Sequence, residues 1–594
     1  MKDILRAYTD KIQSIYATGD AREHAYRAAF TELIESLDTS IQAINEPAYQ
    51  GGNAPDFLFK RKEVPVSYAE CKDLDVDISK KAVQKQASRY VEAFGKILLT
   101  NYLEFEIIHE ETDHVERFGF GRLEDGKIVI DENDLERTAN HLRDYLVTTP
   151  RTIKSAKRLA QIMASKGRIL RDNALASLTE NPDSAIYQQY QTFKHVLIRD
   201  LKPEDFADMY AQTLVYGLFV ARYVDPTLPT FSRAEARDLL PASNPLLKKF
   251  FGHVAGLDYD EKIAWLVDSL IEAFLATNVY EIMHREFERK QKDPVLHFYE
   301  TFLSEYDQRL RKSRGVYYTP DPVVSYIVRS IDQILAEKFH LPEGLADTSQ
   351  VSITRKVQAS DARTKDGYKQ IKQDVHKVQI LDPAVGTGTF LNEVVHHIAA
   401  KYADSPGLWQ GYAQKHLLPR LHGFELMMAS YTMAHLKLGI TLKELGYTGD
   451  ERLNIYLTNS LEEGLHEVPN LFMSQWLSEE SSRASRVKKD MPVMVILGNP
   501  PYSVSSANSG DWITQLMTEY KKDLNERNIQ PLSDDYIKFI RFAQHLIDQN
   551  QEGVVAYISN NSFLDGIIHR KMRQSLMKSF DEIYILDLHG NAKK

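Results

Sequence analysis

Six short apolar runs, spaced by longer stretches of helical pattern, govern the second half of the chain: "VQILDPA" (378–384), "LHGFEL" (421–426), "NIYLTN" (454–459), "VMVILGN" (493–499), "GVVAYIS" (553–559) and "EIYILDL" (582–588). Apolar strands that alternate with helices imply a largely parallel sheet covered on both faces. That requirement also fixes where chemistry belongs. In such sheets ligands sit beyond the carboxyl ends of the strands. Every unusual motif of this region falls at such an end.

The first run continues as Asp382-Pro-Ala-Val-Gly386-Thr-Gly388-Thr-Phe390. Two glycines in a strand-to-helix turn let the backbone approach a ligand closely, and the helix N-terminus favours a polar or anionic group. The second run ends at Glu425, an acid placed to accept hydrogen bonds from ribose hydroxyls. The fourth ends in Asn499-Pro500-Pro501-Tyr502. Asn499 supplies a side-chain acceptor, and Pro500 a carbonyl whose direction its ring fixes. Tyr502 offers a flat face for stacking. Two acceptors converging on one amino group hold both its protons and enrich its nitrogen lone pair. That suits the exocyclic amine of an adenine drawn out of its helix.

The motif pair D-P-A-x-G-T-G-T-F and N-P-P-Y resembles that of the S-adenosylmethionine-dependent DNA N6-adenine methyltransferases. Gly315-Val-Tyr317-Tyr318-Thr319-Pro320 looks like that family's leading cofactor motif, and its place before the glycine turn resembles the gamma arrangement. The resemblance implies a Rossmann-like domain. It implies that Tyr318, Thr319, Pro320, Asp382, Gly386, Gly388 and Glu425 contact the cofactor, and that Asn499, Pro500 and Tyr502 hold the target adenine. The third-strand position that is often Asp in the family is Asn459 here, a cofactor contact of the hydrogen-bonding kind. The sulfonium methyl arrives activated, so the protein chiefly has to position the amine.

Upstream, residues 1–45 read as helices and 55–110 as a small mixed α/β unit that closes near 147, with "PDFLFK", "VPVSYAECK" and "KILLTN" as strands. Asp56 opens one strand, and Glu70-Cys71-Lys72 lies on the next. Two adjacent strands can bring Asp56 and Glu70 together on a divalent cation, with Lys72 on the same face as Glu70. An acid pair plus a lysine suits metal-assisted phosphodiester hydrolysis. This resembles the P-D…(D/E)-x-K signature of restriction endonucleases, and Gln86 and Tyr90 match the Q-x-x-x-Y element that often follows it. A helix-borne acid commonly assists, and Glu23, Glu32 and Glu35 are all available. Cys71 reads as a core residue.

Residues 148–310 are helical in pattern, with faces such as "FADMYAQTLVYGLFVARY". The net charge is −10, yet Arg151 to Arg171 holds seven basic residues and no acid, and Arg309, Arg311, Lys312 and Arg314 form a second cluster. Each is either a DNA-facing patch or a solvated helix face. The single cysteine excludes a disulfide framework and any cysteine-cluster zinc site. No run is apolar enough for a membrane span, and the charged start lacks a signal-peptide core, which points to the cytoplasm.

Together, residues 1–147, 148–310 and 311–594 read as an endonuclease-like domain, a helical connector and a methyltransferase domain. The whole resembles a type IIG restriction–modification enzyme, a prokaryotic class. The resemblance implies S-adenosylmethionine and Mg2+ as cofactors and double-stranded DNA as partner. No G-x-x-x-x-G-K-[S/T] occurs, which argues against an ATP-driven translocating enzyme. "EIYILDL" looks like an outgoing strand with no return strand. The chain therefore reads as C-terminally incomplete, with target choice left to a missing recognition domain or a separate specificity subunit, and with an exposed sheet edge. The alternatives are an adenine methyltransferase with an inactive or accessory nuclease, or an inactive fragment acting in DNA binding alone.

Overall fold

The computed structural model describes residues 1–45, 55–61, 64–109, 115–146, 153–198, 201–225, 230–240, 244–256, 260–286, 294–307, 319–358, 368–463, 472–503 and 508–588. Tyr318, the basic cluster at 309–314 and the side chain of Gln86 lie outside the described residues. Contacts divide the chain into two units: residues 1–186, 210–239 and 251–306, and residues 187–209, 240–250 and 307–594.

In the first unit a six-stranded sheet runs in sequence order through β1 (Ile41–Asn45), β2 (Phe57–Arg61), β3 (Val64–Cys71), β4 (Lys96–Thr100), β5 (Glu104–His109) and β6 (Val115–Gly119). Only β3 and β4 are parallel, joined by the helix Lys81–Phe94; the other neighbours are antiparallel. Phe57, Phe59, Ala69 and Cys71 point into a core shared with helices Lys2–Tyr16, Arg27–Leu37 and Leu135–Leu146. Period-two alternation then turns Tyr68 and Glu70 to the opposite face. There the Tyr68 ring stacks on Phe94 at 4.0 Å, and its hydroxyl lies 3.2 Å from Ser269 Oγ on helix Glu261–Leu275.

Three sequence expectations change here. Residues 1–45 are not all helical, because "IQAIN" pairs as the edge strand β1. Its five residues are too few to outweigh the helical pattern before them. A hairpin not foreseen joins β7 (Gly121–Glu124) to β8 (Lys127–Ile130). Asp125 and Gly126 both take positive φ in its turn, +47° and +73°, the pattern that favours Asp-Gly. The basic run from Arg151 is not one exposed stripe. Lys166 is buried, with Nζ 2.5 Å from Ser269 Oγ and over the Phe94 ring, while Arg168 pairs with Glu92 and Arg171 with Asp172.

The second unit contains β9 (Gln350–Gln358) and β10 (Tyr368–His376), an antiparallel pair ahead of the first expected strand. Its centre is a parallel sheet in the order β13 (Asn454–Leu457), β12 (Leu421–Glu425), β11 (Gln379–Asp382), β14 (Val493–Gly498) and β15 (Val554–Tyr557). All neighbours are parallel. Every residue of β14 is buried, as a continuous apolar run requires when helices cover both faces. Burying a side chain such as Ile496 stabilises the fold by roughly 1.5–3 kcal/mol. The strand order reverses between β11 and β14, so the crevice beyond those two carboxyl ends is the switch point of the sheet.

The sixth expected strand, 582–588, is not a strand. Ile583, Tyr584, Ile585, Leu586 and Leu588 are each at least half exposed. An apolar run becomes a strand only with a hydrogen-bonding neighbour, and none pairs with it among the described residues. Nor is any single helix among the described residues long and apolar enough to cross a membrane.

Candidate active site

At the end of β11 the chain turns through Val385, whose N–H donates to the Phe424 carbonyl at 2.9 Å. Gly386 follows at φ +55° and Gly388 at φ +84°. Gly388 opens helix Thr389–Ala400, and a Cβ there would stand 3.2 Å from Ala434 Cα. Its hydrogen is needed for helix packing as well as for conformation. A Cβ on Gly386 would meet nothing nearer than the Ala384 carbonyl oxygen at 3.9 Å. The peptide surface there is bare, a cradle that a side chain would narrow.

Glu425 closes this turn from the neighbouring strand. One carboxylate oxygen accepts the Gly386 N–H at 2.8 Å, and the other accepts those of Leu426 and Met427 at 2.9 and 2.8 Å. A carboxylate has about four acceptor positions, so one stays available. The expected ribose acceptor is thus also a backbone clamp, which shapes the glycine turn. Burial pushes its pKa up to about 7 against the pull of those three amides. Asp382 is buried deeper and pushed up to about 8, again mainly by burial. It lies under Gly498, where a Cβ would come within 2.7 Å of Oδ1, and it accepts the Ala384 N–H at 3.1 Å. Asp382 therefore holds the start of the turn after β11 and leaves room only for a glycine at the end of β14.

Asn459, after β13, caps Leu461 N–H through Oδ1 at 3.0 Å and donates from Nδ2 to Asn508 Oδ1 at 3.1 Å. An aspartate could accept but not donate, so the departure from the family's Asp has a local use. Lys488 reaches the Asn459 and Glu462 carbonyls, and burial lowers its pKa to about 7.

Beyond β14, Asn499 Nδ2 donates to Thr319 Oγ1 at 3.2 Å, and Asn499 Oδ1 accepts the Tyr502 hydroxyl at 3.1 Å. Pro500 is buried and Tyr502 half-buried. Thr319 and Pro320 thus stand at this crevice, beside the shelf. Two rings escaped the sequence reading. Tyr536 lies 5.8 Å from the Tyr502 ring, and Phe563 lies 6.5 Å from Tyr536. Tyr536 follows an Asp-Asp pair whose Asp534 accepts the Ser503 N–H at 2.8 Å; that pair was the available sign of a contact with the shelf.

Comparison with known proteins points to the same class of domain as the motifs do. Residues 357–585 match the family model described as "MmeI, DNA-methyltransferase domain", and residues 290–344 match "N-6 DNA Methylase". These two stretches are similar to the DNA N6-methyltransferase domains of restriction–modification enzymes. The type II methyltransferase M.BstVI of Geobacillus stearothermophilus is 23% identical over 236 residues, which is 38% of this chain and 36% of the relative. A putative type II restriction enzyme and methyltransferase of Methanocaldococcus jannaschii, RM.MjaORFECS2P, is 31% identical over 105 residues, 17% of this chain and 9% of that one. Among solved structures, a cryo-EM DrdV–DNA complex aligns with 98% of this chain and 52% of its own, at TM-score 0.52 and 21% identity. A nuclease-deletion mutant of the Type ISP enzyme LlaGI aligns with 77% of this chain and 33% of its own, at TM-score 0.50 and 18% identity. These structural likenesses concern fold. The chain spans about half or less of each of these relatives.

The second candidate site lies in the first unit. Asp56, Glu70 and Lys72 do come together. Asp56 Oδ2 accepts the Cys71 N–H at 2.7 Å, and Lys72 Nζ donates to Glu70 Oε1 at 2.8 Å. Burial and then the charge of Asp56 push Glu70 up to about 7, so the two acids sense each other. Burial raises Asp56 also. Of the three helix acids, Glu23 is the one whose charge reaches Asp56. Glu32 pairs with Lys11, and Glu35 accepts the Ala43 N–H. Tyr90 is buried and feels the charge of Glu70, and Arg89 donates to its hydroxyl at 3.0 Å. Cys71 is buried, as a core residue should be.

The magnesium expectation fits this arrangement poorly. Arg27, buried, donates to Asp56 Oδ1 at 2.6 Å and to Glu23 Oε1 at 2.8 Å. Both Asp56 oxygens therefore already accept from protein donors, and one of those donors is a buried cation standing where a metal ion would have to sit. Among the described residues no three His, Cys, Asp or Glu side chains form a metal-ligand set.

Proposed function

We propose that this chain transfers a methyl group from S-adenosylmethionine to adenine N6 in double-stranded DNA. The observation that carries the reading is the switch-point crevice. A bare glycine turn and a carboxylate with spare capacity lie on one side, and an amide, a proline carbonyl and an aromatic ring on the other. The residues fit a nucleoside cofactor, which Gly386, Gly388, Glu425 and Asn459 would hold, with Asp382 supporting the turn from below. When bound, S-adenosylmethionine supplies an electrophilic methyl on sulfonium. Asn499 Oδ1 and the Pro500 carbonyl accept hydrogen bonds from the two N–H groups of the amine, hold the nitrogen in line and stabilise charge as it develops there, until one of its protons passes to water. Tyr502 stacks on the base, and Tyr536 and Phe563 exclude water around it. The gamma-type reading rests on the order of the motifs in the chain, and the contact of Thr319 with Asn499 is compatible with a leading motif that folds onto the shelf. The test is incubation with tritiated S-adenosylmethionine and plasmid DNA free of N6-methyladenine, followed by nucleoside analysis.

The proposed layout is an endonuclease-like domain at 1–147, a helical connector at 148–310 and the methyltransferase domain at 311–594. The convergence of Asp56, Glu70 and Lys72 supports a nuclease in the first of these. The guanidinium of Arg27 on Asp56 instead favours the second reading, a methyltransferase whose N-terminal sheet is inactive or accessory. Scoring DNA nicks with and without Mg2+ separates the two. A specificity subunit is a further proposed partner, tested by whether methylation by this chain alone is confined to one DNA sequence.

A further inference from the structure

Asn499 serves the reaction only if its amide turns oxygen, not nitrogen, toward the target amine. The two ends of an amide differ little in size, so hydrogen-bond partners must choose between them. Here both ends are held. Nδ2 donates to Thr319 Oγ1 at 3.2 Å, and Oδ1 accepts from the Tyr502 hydroxyl at 3.1 Å. The same hydroxyl lies 3.3 Å from the Ile558 carbonyl, so its single proton is shared between two acceptors, and Thr319 makes the other contact to the amide.

Thr319 is well built for such a duty. It is 8% exposed and precedes Pro320, which confines its backbone to extended conformations. The Pro320 carbonyl accepts the N–H groups of Val323 and Val324, so helix Asp321–Lys338 begins immediately behind it. The backbone that carries this hydroxyl is thus fixed by a proline and a helix start. We propose that Thr319 is a positioning residue for methyl transfer. Its hydroxyl accepts Asn499 Nδ2–H and so holds the amide in place at the end of β14, with Oδ1 on the side away from Thr319. The inference rests on the adenine-methyltransferase reading, and it moves Thr319 from cofactor contact to support of the target acceptor. Without the bond the amide can rotate, and in the rotated state an NH2 group faces an NH2 group, donor against donor.

Thr319→Val removes the hydroxyl at nearly constant shape, Thr319→Ala removes it without adding bulk, and Thr319→Ser keeps it. Single-turnover methylation of N6-methyladenine-free plasmid DNA is measured at saturating tritiated S-adenosylmethionine, with cofactor affinity from calorimetry and folding from thermal melting. Loss of one oriented donor–acceptor contact in a transition state is expected to lower the rate about 10- to 100-fold in Thr319→Val. Cofactor Kd should stay within about twofold, because a residue acting through Asn499 does not touch the cofactor. Thr319→Ser should restore most of the rate. If Thr319→Val does not fold, Thr319→Ala carries the same expectation. In an Asn499→Ala background Thr319→Val should change nothing further, since its effect passes through that amide. A wild-type rate in Thr319→Val or Thr319→Ala overturns the positioning role alone. So does weakened cofactor binding with an unchanged rate at saturation, which would make Thr319 a cofactor contact. No methyl incorporation by the wild-type chain overturns the underlying reading, and this proposal with it.

Discussion

The two candidate sites hold similar polar inventories in opposite states. Around β11 and β14, acceptors are oriented and keep capacity: Glu425 has three backbone donors for about four positions, and Asn499 Oδ1 has one donor. Around Asp56 the charges answer one another, with Arg27 on Asp56 and Glu23, and Lys72 on Glu70. The first arrangement is preorganised for a ligand. The second is largely satisfied from within, and a cation would have to compete with a buried guanidinium. Convergence of the right residue types is therefore weaker evidence when a buried cation of the protein already holds the position that a metal ion would need.

The largest expected effect breaks the first site. Asn499→Ala removes the oriented acceptor and should lower methyl transfer by roughly 10²- to 10³-fold, as loss of a transition-state hydrogen bond does. Cofactor affinity by calorimetry should barely move. Next comes Gly388→Val, which forces a β-branched residue into φ +84° with Ala434 Cα at 3.2 Å. It should weaken S-adenosylmethionine binding by at least about tenfold and lower the melting temperature, because strain of this kind costs about 1–3 kcal/mol.

The comparison is sharpened by Glu70→Gln. If the first unit is a nuclease, this change abolishes Mg2+-dependent nicking of plasmid DNA while methylation stays at the wild-type level. If wild-type protein makes no nicks at any Mg2+ concentration, the accessory reading stands.

The smallest effect concerns pH. Burial raises Asp382 from the ordinary carboxylate range to about 8, so the folded state favours its protonated form. Its contribution to stability is present below the unfolded value near 4 and is lost as pH rises through 8. The melting temperature of wild type minus that of Asp382→Asn should therefore decline between pH 5 and about pH 8. Taking the difference removes the opposite trend of buried Lys488, whose pKa is lowered to about 7. A flat difference would contradict this account of Asp382.

Much of the methyltransferase domain was legible because its signals are local. A continuous apolar run such as "VMVILG", a glycine turn and an Asn-Pro-Pro-Tyr shelf each declare themselves within a few residues. The five-stranded parallel sheet follows from them. What stayed hidden depends on distance along the chain. Thr319 meets Asn499, and Arg27 meets Asp56, through folds that no local pattern encodes. Tyr536 and Phe563 sit on helical segments that look like ordinary core. "EIYILDL" misled for the converse reason: strand propensity is local, but a strand exists only with a partner. Lys166 misled likewise, since a basic run in sequence says nothing about which lysine the helix turns inward.

The most direct test of the central claim is the identity of the methylated base. Plasmid DNA lacking N6-methyladenine is incubated with the purified chain and tritiated S-adenosylmethionine, then digested to nucleosides and separated. Wild-type protein is expected to place label in N6-methyladenine, and Asn499→Ala to place almost none there. Label in a methylated cytosine, or an undiminished adenine product from Asn499→Ala, would contradict it.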